Sequence, residues 1–310
     1  VTGAAAQSRA ILPPELMDRL STMQMVAHAA RATRGTGERL SRASGPGIEF
    51  AEFRPYRAGD DLRLVDPRSL AQGAPLTRNY VQRRQLMVTI VLDLTLSMLA
   101  PAEGKANLAV GLAQALGFVA LSGQDRVRLL VLGQQRKIER SPVWQGRSSA
   151  PDLFAFARTT AGPAHRDPLG APAREATSLT QAVAELVAAL DQGSVVIVIS
   201  DFWDADAAIA LSRLAATPAS LVALQVLTAL EQDPSGLGEG VHRLVDAETG
   251  AERDFAINDN LLRQYRSALA DHTAALVAAA SDRNLFLTVP AEQSLGAVCL
   301  ELLPSAGVIQ

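Results

Sequence analysis

Three short segments carry side chains whose chemistry can act together. Asp93-Leu-Thr95-Leu-Ser97 follows an apolar run, Ala176-Thr177-Ser178 precedes a helical one, and Ser200-Asp201 closes a second apolar run. Between them they offer two carboxylates, Asp93 and Asp201, and three hydroxyls, Thr95, Ser97 and Thr177. An all-oxygen donor set suits a hard cation, Mg²⁺ or else Mn²⁺ or Ca²⁺. Hydroxyl ligands with few direct carboxylates leave such an ion under-neutralised, so it can recruit an acidic side chain from another molecule. The competing reading is plain: an aspartate after a buried strand often serves only as a helix cap or loop residue. D-x-T-x-S alone is a weak signal; three such segments in order, each at the end of an element, weigh more. A phosphohydrolase is the enzymatic alternative, with Asp93 as nucleophile. That chemistry needs a second acid two residues on, and Thr95 stands there.

These residues need a scaffold, and the apolar pattern supplies one. Leu86-Met-Val-Thr-Ile-Val-Leu92 and Val195-Val-Ile-Val-Ile199 read as strands buried on both faces. Further strands are expected at 127–132, 137–140, 220–227 and 284–289. Helices are expected at 105–122, 151–160, 178–191, 206–215, 258–282 and 291–303. This alternation predicts an α/β fold: a Rossmann-like, doubly wound, mostly parallel six-stranded sheet. The runs at 86–92 and 195–199 are expected side by side at its centre, with 136–140 as an antiparallel edge. In such a sheet, ligands sit at the carboxyl ends of the strands, near the reversal of strand order. Glu248-Thr-Gly250, flanked by alternating residues, predicts a β-hairpin insertion near 241–256.

Ahead of this region, Pro13 and Pro14 open a helix whose apolar face (Leu16, Leu20, Met23, Ala27, Ala30) predicts an end near Thr33. Residues 1–10 read as a frayed tail, and 35–47 as a loop. Between Arg31 and Arg84 stand eleven arginines and six acids, so this stretch is locally basic. The division expected is 1–85, an N-terminal helix with a charged segment docked on the rest, and 86–310, the α/β domain.

Composition excludes several classes. Lys+Arg 29 against Asp+Glu 32 gives −3, so no global basic field exists to hold nucleic acid. The single cysteine, Cys299, excludes an internal disulfide framework and any multi-cysteine metal site, and points to a cytoplasmic setting. No G-x-G-x-x-G follows the first strand, no G-x-x-x-x-G-K-[ST] occurs, and no Ser/His/Asp set is evident. No uninterrupted apolar stretch reaches ~18 residues, so no membrane insertion is expected. His28 reads as a packed histidine, His165 as a loop residue, and Cys299 as a buried small hydrophobe. Trp144 and Trp203 fall near loops, where Trp203 either lines the metal face or packs locally. Lys105 either holds an acidic group near the Asp93 loop or lies solvated.

Asp93-x-Thr95-x-Ser97, with Thr177 and Asp201, resembles the metal-ion-dependent adhesion site of von Willebrand factor type A domains. That family's usual motif is D-x-S-x-S, so Thr95 keeps the hydroxyl and adds a methyl group. The resemblance implies that Thr95 and Ser97 hold the ion directly, Thr177 directly or through water, and the carboxylates largely through water. A second stretch, from Gly47-Ile-Glu49-Phe50 through Phe53-Arg54-Pro-Tyr56-Arg57-Ala-Gly59-Asp60-Asp61 to Asp66, resembles the signature of the bacterial "domain of unknown function 58" family. Lys105, Ser200-Asp201, Tyr265 and His272 extend that match. The family usually has Asp-Trp where this chain has Asp66-Pro67. Members pair this segment with a type A domain and are often encoded beside MoxR-type AAA+ ATPases. The resemblance therefore implies a non-enzymatic, metal-dependent adaptor working with such an ATPase and a protein client. A metal-free scaffold is the remaining alternative.

Overall fold

A computed structural model describes residues 12–26, 48–57, 59–82, 85–99, 104–133, 138–160, 179–187, 190, 194–247, 250–281 and 283–310. Thr177, His28 and His165 lie outside these residues, as do 1–10 and 35–47. The chain divides into two compact units, Arg34–Gln85 and the remainder, Val1–Thr33 with Leu86–Gln310.

In the small unit, β1 (Ile48–Pro55) pairs antiparallel with β2 (Leu76–Gln82), with a bulge between Phe50 and Glu52. Gly59 takes φ +103°, a conformation costly for other residues, and this tightens the turn before Asp60. Arginine and carboxylate pair here in bidentate form. Arg54 Nη1 and Nη2 donate to Asp60 Oδ2 and Oδ1 at 2.8 and 2.7 Å. Asp66 instead takes a partner from β2, Arg78, at 3.0 Å, and caps the helix Pro67–Ala71 by accepting from Ser69 N. Pro67 thus stands at the first turn, where its missing N–H costs nothing.

The large unit is mixed α/β around a mostly parallel sheet. Its strands are β3 (Met87–Asp93), β4 (Arg126–Leu132), β5 (Ile138–Arg140), β6 (Trp144–Gln145), β7 (Ser194–Ser200), β8 (Ser220–Leu227) and β11 (Leu285–Pro290). The hydrogen-bonded order is β11-β8-β7-β3-β4-β5, with β6 also on β4. Every pair from β11 to β4 is parallel, while β5 and β6 run antiparallel to β4. Among the described residues the sheet thus has seven strands where six were expected. A two-residue strand has no periodicity to read; Trp144 earns its place by burial and by edge-on packing against Phe156, centroids 5.8 Å apart.

Alternation of side chains explains the burial of the central strands on both faces. Val88, Ile90 and Leu92 join Val195, Ile197 and Ile199 in one apolar cluster, whereas Val91, Val196 and Val198 enter the other. The first cluster is completed by the helices Gly104–Ser122 and Ala150–Thr160, the second by Leu179–Val187 and Ala207–Ala215. Gly104–Ser122 is long and apolar enough to span a membrane by length and composition, although Lys105, Asn107 and Gln114 interrupt its apolar run. Here it is buried nearly all round, as a core helix should be. A Cβ on Gly117 would lie 2.5 Å from Leu153 Cδ1, so glycine allows the close approach of Ala150–Thr160.

The N-terminal helix ends at Leu20, well short of Thr33. Ser21 and Thr22 turn their hydroxyls onto the carbonyls of Asp18 and Arg19, competing with further helix. The chain then extends, and Met25 bridges Ile309 while Gln24 and Gln310 exchange backbone hydrogen bonds. Leu12, Leu16, Leu20 and Met25 are buried in the first cluster, so this helix belongs with the large unit rather than with residues 48–85. The expected hairpin is present as β9 (Gly240–Val245) and β10 (Glu252–Ile257), which among the described residues pair only with each other. Cys299 is buried, which pushes its thiol up to about 12 and leaves it a small hydrophobe.

Candidate functional site at the carboxyl ends of β3, β7 and β8

From β3 the chain passes to β4 on one side, and later to β7, β8 and β11 on the other. Strand order therefore reverses between β3 and β7, which opens a crevice at their carboxyl ends. Asp93 ends β3 there, and Ser200 ends β7 with Asp201 immediately after it.

Asp93 is buried and held through both oxygens. Ser200 Oγ donates to Oδ2 at 2.6 Å, and Thr95 N donates to Oδ1 at 2.9 Å. Ser200 Oγ also accepts from Phe202 N at 3.0 Å. Burial, reinforced by repulsion from Asp201, pushes the Asp93 carboxyl up to about 6 despite these hydrogen bonds. Thr95 Oγ1 and Ser97 Oγ lie 3.2 Å apart in the turn that follows.

Asp201 is buried, and its neighbour is a lysine. Lys105, at the start of Gly104–Ser122, has 0% exposed side chain, and its Nζ lies 2.8 Å from Asp201 Oδ2 and 2.6 Å from Glu231 Oε1. Of the two sequence readings of Lys105, the structure selects the one in which it holds acidic groups. Glu231 belongs to a capping box at the end of β8: its Oε2 accepts from Thr228 N at 2.7 Å and Thr228 Oγ1 at 2.9 Å. Trp203 Nε1 donates to Glu231 Oε1 at 3.3 Å, and the Trp203 ring stacks on His272 at 5.2 Å between centroids. Trp203 thus packs locally on the lysine-bound acid. Tyr265 OH donates to the Glu231 carbonyl; burial, then the Glu231 charge, raises this phenol, which keeps it a donor. Gln225, fully buried on β8, donates to the Asp201 carbonyl at 3.2 Å and accepts from Thr288. Phe202 adopts φ +57°, rare for a non-glycine residue, and packs against Phe286 with centroids 5.8 Å apart.

The structure therefore gathers Asp93, Thr95, Ser97 and Asp201 at one sheet edge, while Thr177 lies outside the described residues. Glu231, and the part played by Ser200 on Asp93, escaped the sequence reading. Thr228-x-x-Glu231 is a capping-box signature directly after a strand, and reading past the end of that strand would have found it. Among the described residues no three His, Cys, Asp or Glu side chains form a group able to hold a metal ion by themselves. An ion here would rest on hydroxyls. Ligands about 2.1 Å from an octahedral Mg²⁺ stand about 3.0 Å apart at adjacent corners, and larger ions spread them further. The Thr95–Ser97 spacing fits that range, and the surplus of acid over lysine supplies the sign of charge.

Comparison with known proteins follows the same chain. Two uncharacterized proteins, Rv1480 from Mycobacterium tuberculosis and Mb1516 from Mycobacterium bovis, are each 28% identical over 265 residues, 84% of this chain and 80% of the relative. Among solved structures, the conserved hypothetical protein BatB from Bacteroides thetaiotaomicron is 16% identical with a TM-score of 0.39. The alignment covers 71% of this chain and 98% of that one. An aerotolerance-related membrane protein from Bacteroides fragilis is 12% identical with a TM-score of 0.40 over the same shares. The model of the family described as "Protein of unknown function DUF58" matches residues 52–275, reaching from β1 in the small unit through most of the large one, and the chain belongs to that family.

Proposed function

We propose that the chain is a non-enzymatic adaptor whose large unit is a doubly wound frame of the von Willebrand factor type A kind. In this reading it binds a protein client through a divalent cation, Mg²⁺ or alternatively Mn²⁺ or Ca²⁺, and works in the cytoplasm with a MoxR-type AAA+ ATPase. The observation that carries the reading is the Thr95–Ser97 hydroxyl pair beside buried Asp93 at the strand-order reversal. The ATPase partnership rests on the family resemblance alone.

Each residue has a task in this scheme. Thr95 and Ser97 offer neutral oxygens to the ion. Asp93 supplies charge, and Ser200 Oγ with Thr95 N hold its carboxylate in place. Asp201 adds charge from the end of the neighbouring strand, β7. When bound, the ion supplies an electrophilic position for a client carboxylate.

Hydrolysis fits less well. Thr95 occupies the position of the second acid, and both Asp93 oxygens are already engaged by donors of this chain. The metal-free scaffold has one specific observation in its favour, that Asp201 already has a cation in Lys105.

Titration calorimetry with Mg²⁺ and Mn²⁺, on wild type and Asp93→Ala, tests the reading. The expected result is ion binding lost in Asp93→Ala and client or ATPase capture lost equally in Asp93→Ala and in EDTA. Capture that survives both would favour the scaffold. Metal-dependent turnover of phosphomonoesters or nucleotides that disappears in Asp93→Ala would establish a hydrolase instead.

A further inference from the structure

Charge at the site is uneven. Three acids, Asp93, Asp201 and Glu231, meet one described cation, Lys105, whose ammonium is buried and shared between two of them. Toward Asp201 this ammonium is a counter-ion. Toward a metal ion seated beside Asp201 it is a like charge. Its position is not left to chance. Glu231 receives it at 2.6 Å, and the Glu231 segment is tied to the helix Asp259–Ala280 through Tyr265 OH and through Arg266, which reaches Asp233 Oδ1 and Oδ2 at 3.0 and 2.9 Å.

We infer that Lys105, held by Glu231, is a built-in counter-cation that restrains the ion affinity of the Asp93–Thr95–Ser97–Asp201 site. It acts as a positioning residue on Asp201 and not as a ligand. The inference rests on the ion-binding reading above and adds what regulates that site. Three consequences follow from charge alone. With Lys105 bound to Asp201, the Asp201 charge is balanced without a metal ion. An incoming ion must compete with the ammonium for Asp201. Any movement of the Glu231 segment, by a partner pressing on the Asp259–Ala280 helix, changes how tightly Lys105 holds Asp201.

Two substitutions remove opposite charges from the same Lys105–Glu231 ion pair and separate this role from a merely structural one. Lys105→Met removes the competing charge and leaves the acids, so Mg²⁺ binds about tenfold tighter or more. Glu231→Gln removes an acid and leaves Lys105 to Asp201 alone, so Mg²⁺ binding weakens by about as much. Loss of a purely structural salt bridge would weaken binding in both. Lys105→Arg, which keeps the charge, is expected to stay near wild type. Calorimetry with Mg²⁺ alone on the full chain reads the affinities, and thermal melts in EDTA and in Mg²⁺ give a second readout. Lys105→Met should melt early in EDTA and regain stability with Mg²⁺, because a ligand that binds only the folded state stabilises it.

Opposite shifts in the two variants support the inference. If wild type binds Mg²⁺ and both variants shift the same way or not at all, the inference falls and the ion site stands. If only Lys105→Met binds, the inference stands and an ion-dependent function of the wild type falls. If none of the folded proteins binds at millimolar Mg²⁺, both fall. Should Lys105→Met not fold, Lys105→Gln, which keeps a hydrogen-bond donor without the charge, decides: tighter Mg²⁺ binding supports the inference, and unchanged or weaker binding overturns it.

Discussion

Asp93 is where the cost of the site is concentrated. Its carboxyl stands at about 6 in the folded protein against an ordinary 3.8, with burial as the first cause. Between those values the folded protein holds a proton that the unfolded chain has already lost. Stability from this group therefore falls as pH rises from about 4 to about 6 and is level above, with a total loss of up to roughly 3 kcal/mol. Asp93→Asn, which cannot ionise, is expected to escape that loss. In EDTA it should be more stable than wild type at pH 8 by about 1–3 kcal/mol and equal to it near pH 4. Urea melts across pH measure this, and a variant less stable at pH 8 would show that the hydrogen bonds of the carboxylate outweigh its repulsion from Asp201. The motif residues themselves were legible in sequence, because hydroxyls and carboxylates at the ends of apolar runs announce themselves. The raised Asp93 carboxyl was not, since burial depends on the neighbours that fold around it.

Elements were read well where the apolar pattern was long. The expected strands 86–92, 195–199 and 220–227 lie at 87–93, 194–200 and 220–227. Short or polar elements escaped: the two-residue β6, the halt of the first helix at Leu20, and the capping box after β8. Each is decided by a hydrogen bond or a single buried aromatic ring rather than by periodicity. The capping box permits a sharp test. Thr228→Ala removes the hydroxyl that accepts from Glu231 N and should cost about 1 kcal/mol. A loss well above that in chemical denaturation would mean that the cap also holds Glu231 on Lys105. A second test concerns the first helix. Leu20 is fully buried in the core of the large unit, so Leu20→Ala should cost about 2–5 kcal/mol. A loss under 1 kcal/mol would deny that this helix is part of that core.

Across the large unit, stability is expected to be uneven. β3, β7 and β8 are buried and flanked by parallel neighbours, whereas β9 and β10 pair, among the described residues, only with each other and are exposed except at Ile257 and His242. A lone two-stranded ribbon is marginal in water. Hydrogen exchange should therefore be fast across 240–257 and slow, at the level of global unfolding, across β3 and β7. Equal protection of the hairpin would mean that a partner covers it. What the sequence by itself determined was local: which runs are strands, which are helices, and that Asp93, Thr95, Ser97 and Asp201 stand at strand ends, because side-chain periodicity and turn chemistry act between near neighbours. Only the tertiary structure decided that strand order reverses between β3 and β7, and that Lys105 meets Asp201, 96 residues away, and Glu231, 126 residues away. Such contacts follow from how the sheet and helices close over one another, and a buried charge chooses its partner only after that closure has excluded water.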